Sequence, residues 1–283
     1  MHRMATLLQP AYSEVRSIRH WLLLGAVLFL SAPQAVLAYG AKGHRIAGEV
    51  ADLYLCSDAR AALKQIAPDY SLATAGLWAD RIRSISAWDK ARTWHYINVP
   101  DGISLSQTPR LRSGDVLSAI RRFEAELRDP LLPAEQRKQA YLFLAHFIVD
   151  VHQPLHVGRR RDRGGNQIDV RVNDKLTTLH QYWDSTVLDT VQWSTKDFAA
   201  QIAAIHDGAA WQWQSFTPEL WAIESQAFRP EVYDFGGQDP GRGRVTLDEA
   251  YQARALQITE FRLAQAGIRL AAVLNSIWCW PSD

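Results

Sequence analysis

The chain has 283 residues, 47% of them hydrophobic, and a formal net charge of +1. So balanced a charge gives no long-range hold on a polyanion, and any such binding must rest on local charge. Two cysteines, Cys56 and Cys279, are too few for a thiolate zinc site, so a metal here must take nitrogen and oxygen ligands.

Residues 21–30, WLLLGAVLFL, form a ten-residue apolar run preceded by Arg3, Arg16 and Arg19 and followed by SAPQAVLA. This is the pattern of a secretory signal, and the run falls short of the ~20 apolar residues that a bilayer span needs. Cleavage after Ala38 is expected. Losing Arg3, Arg16, Arg19 and Glu14 turns the formal charge from +1 to −1 over the remaining 245 residues, Tyr39 to Asp283. That length suits one well-buried domain. The expected location is the periplasm or the exterior, without stable membrane association. An oxidising compartment favours a Cys56–Cys279 disulfide over two buried thiols.

Helical periodicity is predicted over 43–55, where Ile46, Val50, Leu53 and Tyr54 share a face, then over 58–67, 72–85, 114–128 and 134–152. Pro154 stops the last of these, because proline lacks the helix donor and disfavours helix in the residue before it. QIDVRVNDKLTTL (167–179) alternates Ile168, Val170 and Val172 with polar residues and turns at Asn173-Asp174, a β-hairpin signal. Helices resume over 196–226, with a break near Pro218, and over 247–278. Loops are expected at 98–112, 157–166 and 229–245. The fold class read from this order is mainly α: a single domain with one small β-hairpin.

The mature chain keeps seven histidines. HFIVDVHQPLH (146–156) places three of them and an aspartate in what otherwise reads as buried helix, where unpaired polar groups are costly. His146 and Asp150 are one turn apart on a helical face, and His180 and Asp184 in LHQYWD repeat the pairing. His156 follows Pro154; His95 sits in WHYINV, His44 follows YGAKG, and Asp80 lies in WAD. A lone buried histidine is commonly just a hydrogen-bonded core residue, and Asp80 could pair with Arg83. His152 lies on another helical face from Asp150 and is assigned to a structural hydrogen bond. Two His-x-x-x-Asp pairs with three more histidines and one more aspartate exceed the needs of one ion, so two or three are expected.

The ordered set YGAKGH, WAD, WHYINV, HFIVDVHQPLH, RGGNQI and LHQYWD resembles the S1/P1 nuclease family over most of the chain from Tyr39. The resemblance implies a helical fold like that of phospholipase C, holding three Zn2+ ions. Motif by motif, it implies one zinc on Asp80, His95, His146 and Asp150, and one on His156, His180 and Asp184. The third would take His44, Asp150 as a bridge, and the free amine and carbonyl of Tyr39. It implies a monomer that hydrolyses single-stranded RNA and DNA to 5′-nucleotides, with 3′-nucleotidase activity, through hydroxide generated by paired zinc ions. Arg83 would meet a phosphate oxygen and Asn166 would position phosphate or water, while Tyr96 matches the base-stacking position. Tyr39 stands where the family usually has Trp, and Asn98 where fungal relatives carry a base-binding Asp, so base preference is open.

Two other classes fit parts of this pattern. A zinc phospholipase C would share the fold, but its last carboxylate ligand is Glu rather than Asp184, and its first histidine stands further from the N-terminus. A non-catalytic periplasmic zinc carrier would not need Arg83 or Asn166 beside the histidines.

Overall fold

A computed structural model describes residues 39–214 and 216–279; the expected signal segment, 1–38, lies outside them. The first two helices are α1 (Ala41–Tyr54) and α2 (Ser57–Ile66), followed by two single turns, α3 (Leu72–Ala75) and α4 (Trp78–Arg81). A 3-10 stretch over Ser86–His95 leads to α5 (Val116–Arg128) and α6 (Ala134–Val151). The hairpin follows as β1 (Asp169–Val172) and β2 (Lys175–Thr178), then α7 (Leu179–Asp184), α8 (Thr195–His206), α9 (Pro218–Ala227) and α10 (Arg229–Val232). Strand β3 (Val245–Thr246) and the long α11 (Glu249–Trp278) complete the domain. The class is mainly α, as the periodicity predicts.

Every residue of α6 from Ala140 to Val151 is buried, so this half of the helix is enclosed on all sides and forms the axis of the described domain, with His146 and Asp150 set among its apolar residues. On one side Phe123 of α5 stacks on Phe143 with ring centroids 4.5 Å apart, and Trp94 meets Phe143 edge-on. On the other side α1 and α11 close around Tyr39, Ile46, Trp183 and Ile268. Gly267 permits their approach: a Cβ there would lie 2.6 Å from the Ala47 carbonyl oxygen. The Cys56–Cys279 disulfide ties the start of α2 to the end of α11, with Cα atoms 6.6 Å apart.

The hairpin has the expected position and turn. Val170 pairs with Thr177 and Val172 with Lys175, while Asn173 and Asp174 both take positive φ, as a two-residue primed turn requires. Three expectations need adjustment. The predicted helix 72–85 is broken after Ala75 and ends in a 3-10 turn over Ile82–Ser84. The break leaves the Gly76 carbonyl oxygen outside the helical ladder, where it accepts a hydrogen bond from His146 Nδ1. The predicted stretch 196–226 is interrupted as expected, with α9 beginning at Pro218, but the break is wider than one turn: α8 ends at His206 and a 3-10 stretch over Asp207–Trp213 follows. The expected loop 229–245 contains α10 and ends in β3, which pairs in parallel with β1 through Val170 and Val245. No described helix is long and apolar enough to cross a membrane.

Candidate metal centre

Five elements converge on the inner half of α6. His44 comes from the first turn of α1, Asp80 from α4, and His95 from the end of the Ser86–His95 stretch. His146 and Asp150 come from α6 itself, His156 from the 3-10 turn that begins at Pro154, and His180 and Asp184 from α7. All are buried except Asp80, which is partly exposed. Proline matters here: by ending α6 it folds the chain back so that His156 Nδ1 comes within 3.9 Å of Asp150 Oδ2.

Three groups of side chains lie close enough to hold an ion each: His44, His146 and Asp150; Asp80, His95 and His146; and His156, His180 and Asp184. His146 belongs to the first two, and Asp150, a member of the first, also lies against His95 of the second. Its Oδ1 is 3.4 Å from His44 Nε2, and its Oδ2 is 3.0 Å from His146 Nε2 and 2.9 Å from His95 Nδ1. Asp184 is 3.5 Å from His156 Nε2 and 3.1 Å from His180 Nε2.

The donor chemistry fits metal ions. A carbonyl oxygen can only accept, so His146 Nδ1 carries its proton toward Gly76, His156 Nδ1 toward His95 O at 2.7 Å, and His180 Nδ1 toward Gly164 O at 2.6 Å. Fixing Nδ1–H in this way aims the Nε2 lone pair of each ring into the centre, the arrangement found around metal-binding histidines. Both ring nitrogens of His44, Nε2 of His95, His156 and His180, and Oδ1 of Asp150 are buried without hydrogen-bond partners. Leaving so many polar atoms unsatisfied is costly, and cations would satisfy them together.

Electrostatics point the same way. Burial would raise the Asp150 carboxyl, yet His146 and His156 hold it well below the usual carboxylate range; His180 and His156 likewise hold Asp184 at about 2 against burial. Burial and His146 push the His44 imidazole down, and burial takes His95 to about 4. His146 is pushed up by Asp150 and Asp80 against its burial, and His156 rises to about 9 beside Asp150 and Asp184. Without metal, protons must stand in for cations at some of the rings.

His95, His156 and His180 also line a cleft of about 340 Å³ with Arg83, Arg92, Tyr96, Asn98, Arg163 and Asn166. All four substrate-facing residues expected from the sequence, Arg83, Tyr96, Asn98 and Asn166, are therefore brought to one opening. Arg83 Nη1 lies 3.3 Å from Asp80 Oδ1, and Asn166 Nδ2 donates to the Arg163 carbonyl oxygen at 2.8 Å. Tyr39 is fully buried beside α7, with the Gly40 N–H donating to the Asp184 carbonyl oxygen at 2.6 Å. A larger cavity of about 600 Å³, lined by Glu49, Asp52, Arg60, Tyr70 and Tyr141, holds none of these residues.

Sequence reasoning missed the supports of the centre. Gln153 is fully buried and donates from Nε2 to Asp184 Oδ1 at 2.6 Å. His152 has the structural role expected of it: Arg269, which can only donate, gives a hydrogen bond to Nε2 at 2.9 Å, so Nδ1–H donates to the Ile148 carbonyl oxygen. Arg262 Nε donates to the His152 carbonyl oxygen at 3.1 Å, and Ser225 Oγ to that of Val151 at 2.5 Å. These bonds satisfy the open end of α6, just beyond Asp150. Glu224 balances both arginines, and against its burial they lower its carboxyl. The sequence signal was weak: a Gln, an Arg pair and a Ser with no distinctive spacing.

A mainly helical domain with clustered histidines and aspartates on its axis, opening into an arginine-lined cleft, has the donors of a metal-dependent enzyme and the cations to receive an anionic substrate. Comparison with known proteins makes this specific. The family model for S1/P1 nuclease matches residues 39–278. Endonuclease 4 of Arabidopsis thaliana is 30% identical over 292 residues, covering 93% of this chain and 96% of its own. Endonuclease 2 of the same plant is 29% identical, covering 91% and 96%, and nuclease S1 of Aspergillus oryzae is 25% identical, covering 89% and 96%. The chain belongs to the S1/P1 nuclease family. It is a hydrolase of phosphodiester bonds, and the match to nucleases over the whole domain, rather than that bond type, separates it from the phospholipase and zinc-carrier alternatives.

Proposed function

We propose that the chain is a zinc-dependent endonuclease that cleaves single-stranded RNA and DNA to 5′-nucleotides and removes 3′-phosphates from nucleotides. The observation that carries this reading is Asp150, whose two oxygens face different histidines at the junction of two candidate ion groups, with the third group alongside. His, Asp and backbone donors without thiolates suit zinc. The ligand sets are those the motifs imply: Asp80, His95, His146 and Asp150; His156, His180 and Asp184; and His44, Asp150 and the backbone of Tyr39. When bound, the ions supply positive charge for the phosphate and acidify water.

The protein's own groups do the rest. Arg83, next to Asp80 and only 17% exposed at its side chain, donates to an equatorial phosphate oxygen. Asn166, held by the Arg163 carbonyl, offers its amide oxygen to the attacking water or its remaining N–H to phosphate. Tyr96, half-buried at the cleft wall, stacks on a base whatever its identity, and a duplex would have to unstack to offer one. Asn98 both donates and accepts, so it changes the base preference that a carboxylate would impose.

Export and processing complete the reading. Residues 1–38 are removed as a signal segment, and the disulfide fits an oxidising compartment. Cleavage after Ala38 frees the amine of Tyr39, which a longer N-terminus would block. Metal analysis of the Tyr39-started protein tests the whole. Close to three zinc ions per chain, chelator-sensitive cleavage of single strands and 5′-phosphate products are expected. An N-terminally extended form should bind fewer ions. Zinc at full occupancy without cleavage of any nucleic acid would overturn the assignment.

A further inference from the structure

Three arginines line the cleft, and the reacting phosphate accounts for one of them, Arg83. Arg92 lies on the wall that carries His95 and Tyr96. Its side chain is 57% exposed, donates to the Arg83 carbonyl oxygen at 3.2 Å and pairs with Asp89, a surface ion pair that is readily exchanged for another anion. Arg163 lies on the loop that carries Asn166. Among the described residues, three other than glycine take positive φ, and two of them, Asn173 and Asp174, are the hairpin turn. Arg163 is the third, at φ 55, a conformation that a long side chain adopts only when its surroundings impose it. Its neighbours Arg159 and Arg161 both face Asp101, at 3.0 and 3.8 Å, whereas Arg163 has no acidic partner among the described residues. Arg163 thus enters a left-handed turn that continues through Gly164 and Gly165, and at the mouth of the cleft it carries a guanidinium with no acidic partner among the described residues.

We infer that Arg92 and Arg163 bind the phosphates flanking the scissile one, making this a nuclease that prefers strands of several nucleotides to a dinucleotide. The inference rests on the nuclease reading above. With the whole chain close to neutral, these two exposed cations extend the local positive charge beyond Arg83 and the metal centre, where the rest of a polyanion would lie. A dinucleotide with a single phosphodiester leaves both without a partner, while an oligomer engages them.

The test compares the zinc-loaded enzyme on thymidine dinucleotide and octanucleotide across a range of salt concentrations, using R92Q, R163Q, their combination, and R163K. In the double variant, the ratio of kcat/KM for octamer over dimer should fall by roughly tenfold or more, and the log–log salt slope on the octamer should shallow by about 0.7 per lost phosphate contact. R163K should keep most of the slope, because it keeps the charge. Wild-type enzyme that cuts both substrates with no preference for the octamer, or a preference and slope unmoved by the double variant, would overturn this inference and leave the nuclease assignment standing. A zinc-loaded wild type that cuts neither substrate would overturn the nuclease assignment and this inference with it.

Discussion

The side-chain amide of Gln153 donates to Asp184 Oδ1 at 2.6 Å, joining the turn after α6 to the carboxylate of α7. The same Gln accepts the Leu155 N–H at the start of the turn that carries His156. One neutral side chain thus orients two members of the His156, His180 and Asp184 group. Outer partners of this kind set ligand direction and basicity, and their loss typically costs 10–100-fold in metal affinity. Gln153→Ala should therefore weaken one ion about 10–100-fold and leave the others in place. Metal titration against a competing chelator reads this directly; an unchanged stoichiometry and affinity would remove Gln153 from the centre.

Gly164 supports the same group from the other side. Its φ is +64, its carbonyl oxygen accepts from His180 Nδ1, and a Cβ on it would lie 2.5 Å from the Leu155 carbonyl oxygen. Gly164→Ala imposes a left-handed conformation on a residue with a side chain and a clash with backbone, at a cost of about 1–3 kcal/mol. Urea unfolding of the metal-loaded variant should show that loss as a lower midpoint at unchanged slope. Because the loop must shift, His180 should also lose its fixed ring direction, and the variant should release one ion more readily than wild type.

These supports show what could be read from sequence and what could not. The burial of α6 was legible because an apolar run ended by Pro154 has no other stable location, and the hairpin was legible because Asn173-Asp174 suits two positive φ values in succession. The candidate ligands stood out because imidazoles and carboxylates are rare in such apolar surroundings. The break at Gly76 was not legible, since the partner that satisfies its freed carbonyl is a histidine 70 residues away. Strand β3, two residues long, is too short to show a period, and its partner is far along the chain. Gln153 sat in plain view within the histidine motif, but only the fold shows which oxygen it meets. Arg163 looked like one more charge in an arginine-rich loop until its backbone conformation set it apart.

The disulfide bears on stability more than on chemistry. Cys56 and Cys279 are separated by 223 positions, so the link encloses nearly the whole described domain. Constraining so large a loop in the unfolded chain is worth typically about 2–5 kcal/mol. Near α2, Asn275 reinforces the junction, accepting from Cys56 N at 2.9 Å and donating to Tyr54 O at 2.9 Å. Replacing both cysteines by alanine should lower Tm by several degrees, at roughly 2–4 °C per kcal/mol for a domain of this size, with metal content unchanged. Calorimetry of the double variant beside wild type, with and without reductant, checks this: reductant should move the wild type towards the variant and leave the variant unmoved.

Metal binding should be strongly pH-dependent, and the sign follows from His156. Burial opposes its protonation, but Asp150 and Asp184 outweigh burial and raise the imidazole from its ordinary 6.5 to about 9. A raised folded-state pKa means that the metal-free protein gains stability from this proton below pH 6.5 and loses it as pH climbs to about 9. A metal ion needs the same nitrogen unprotonated, so over that window it must displace the proton. Affinity should therefore rise from pH 6.5 to 9, and binding at pH 7 should release protons into a weakly buffered solution. Following an indicator dye while zinc is added to chelator-stripped protein measures that release. Affinity that is flat across the window, with no proton release at pH 7, would mean that His156 is already neutral in the metal-free protein. In His156→Ala the affinity of the remaining ions should depend less steeply on pH, which separates this imidazole's contribution from that of His146.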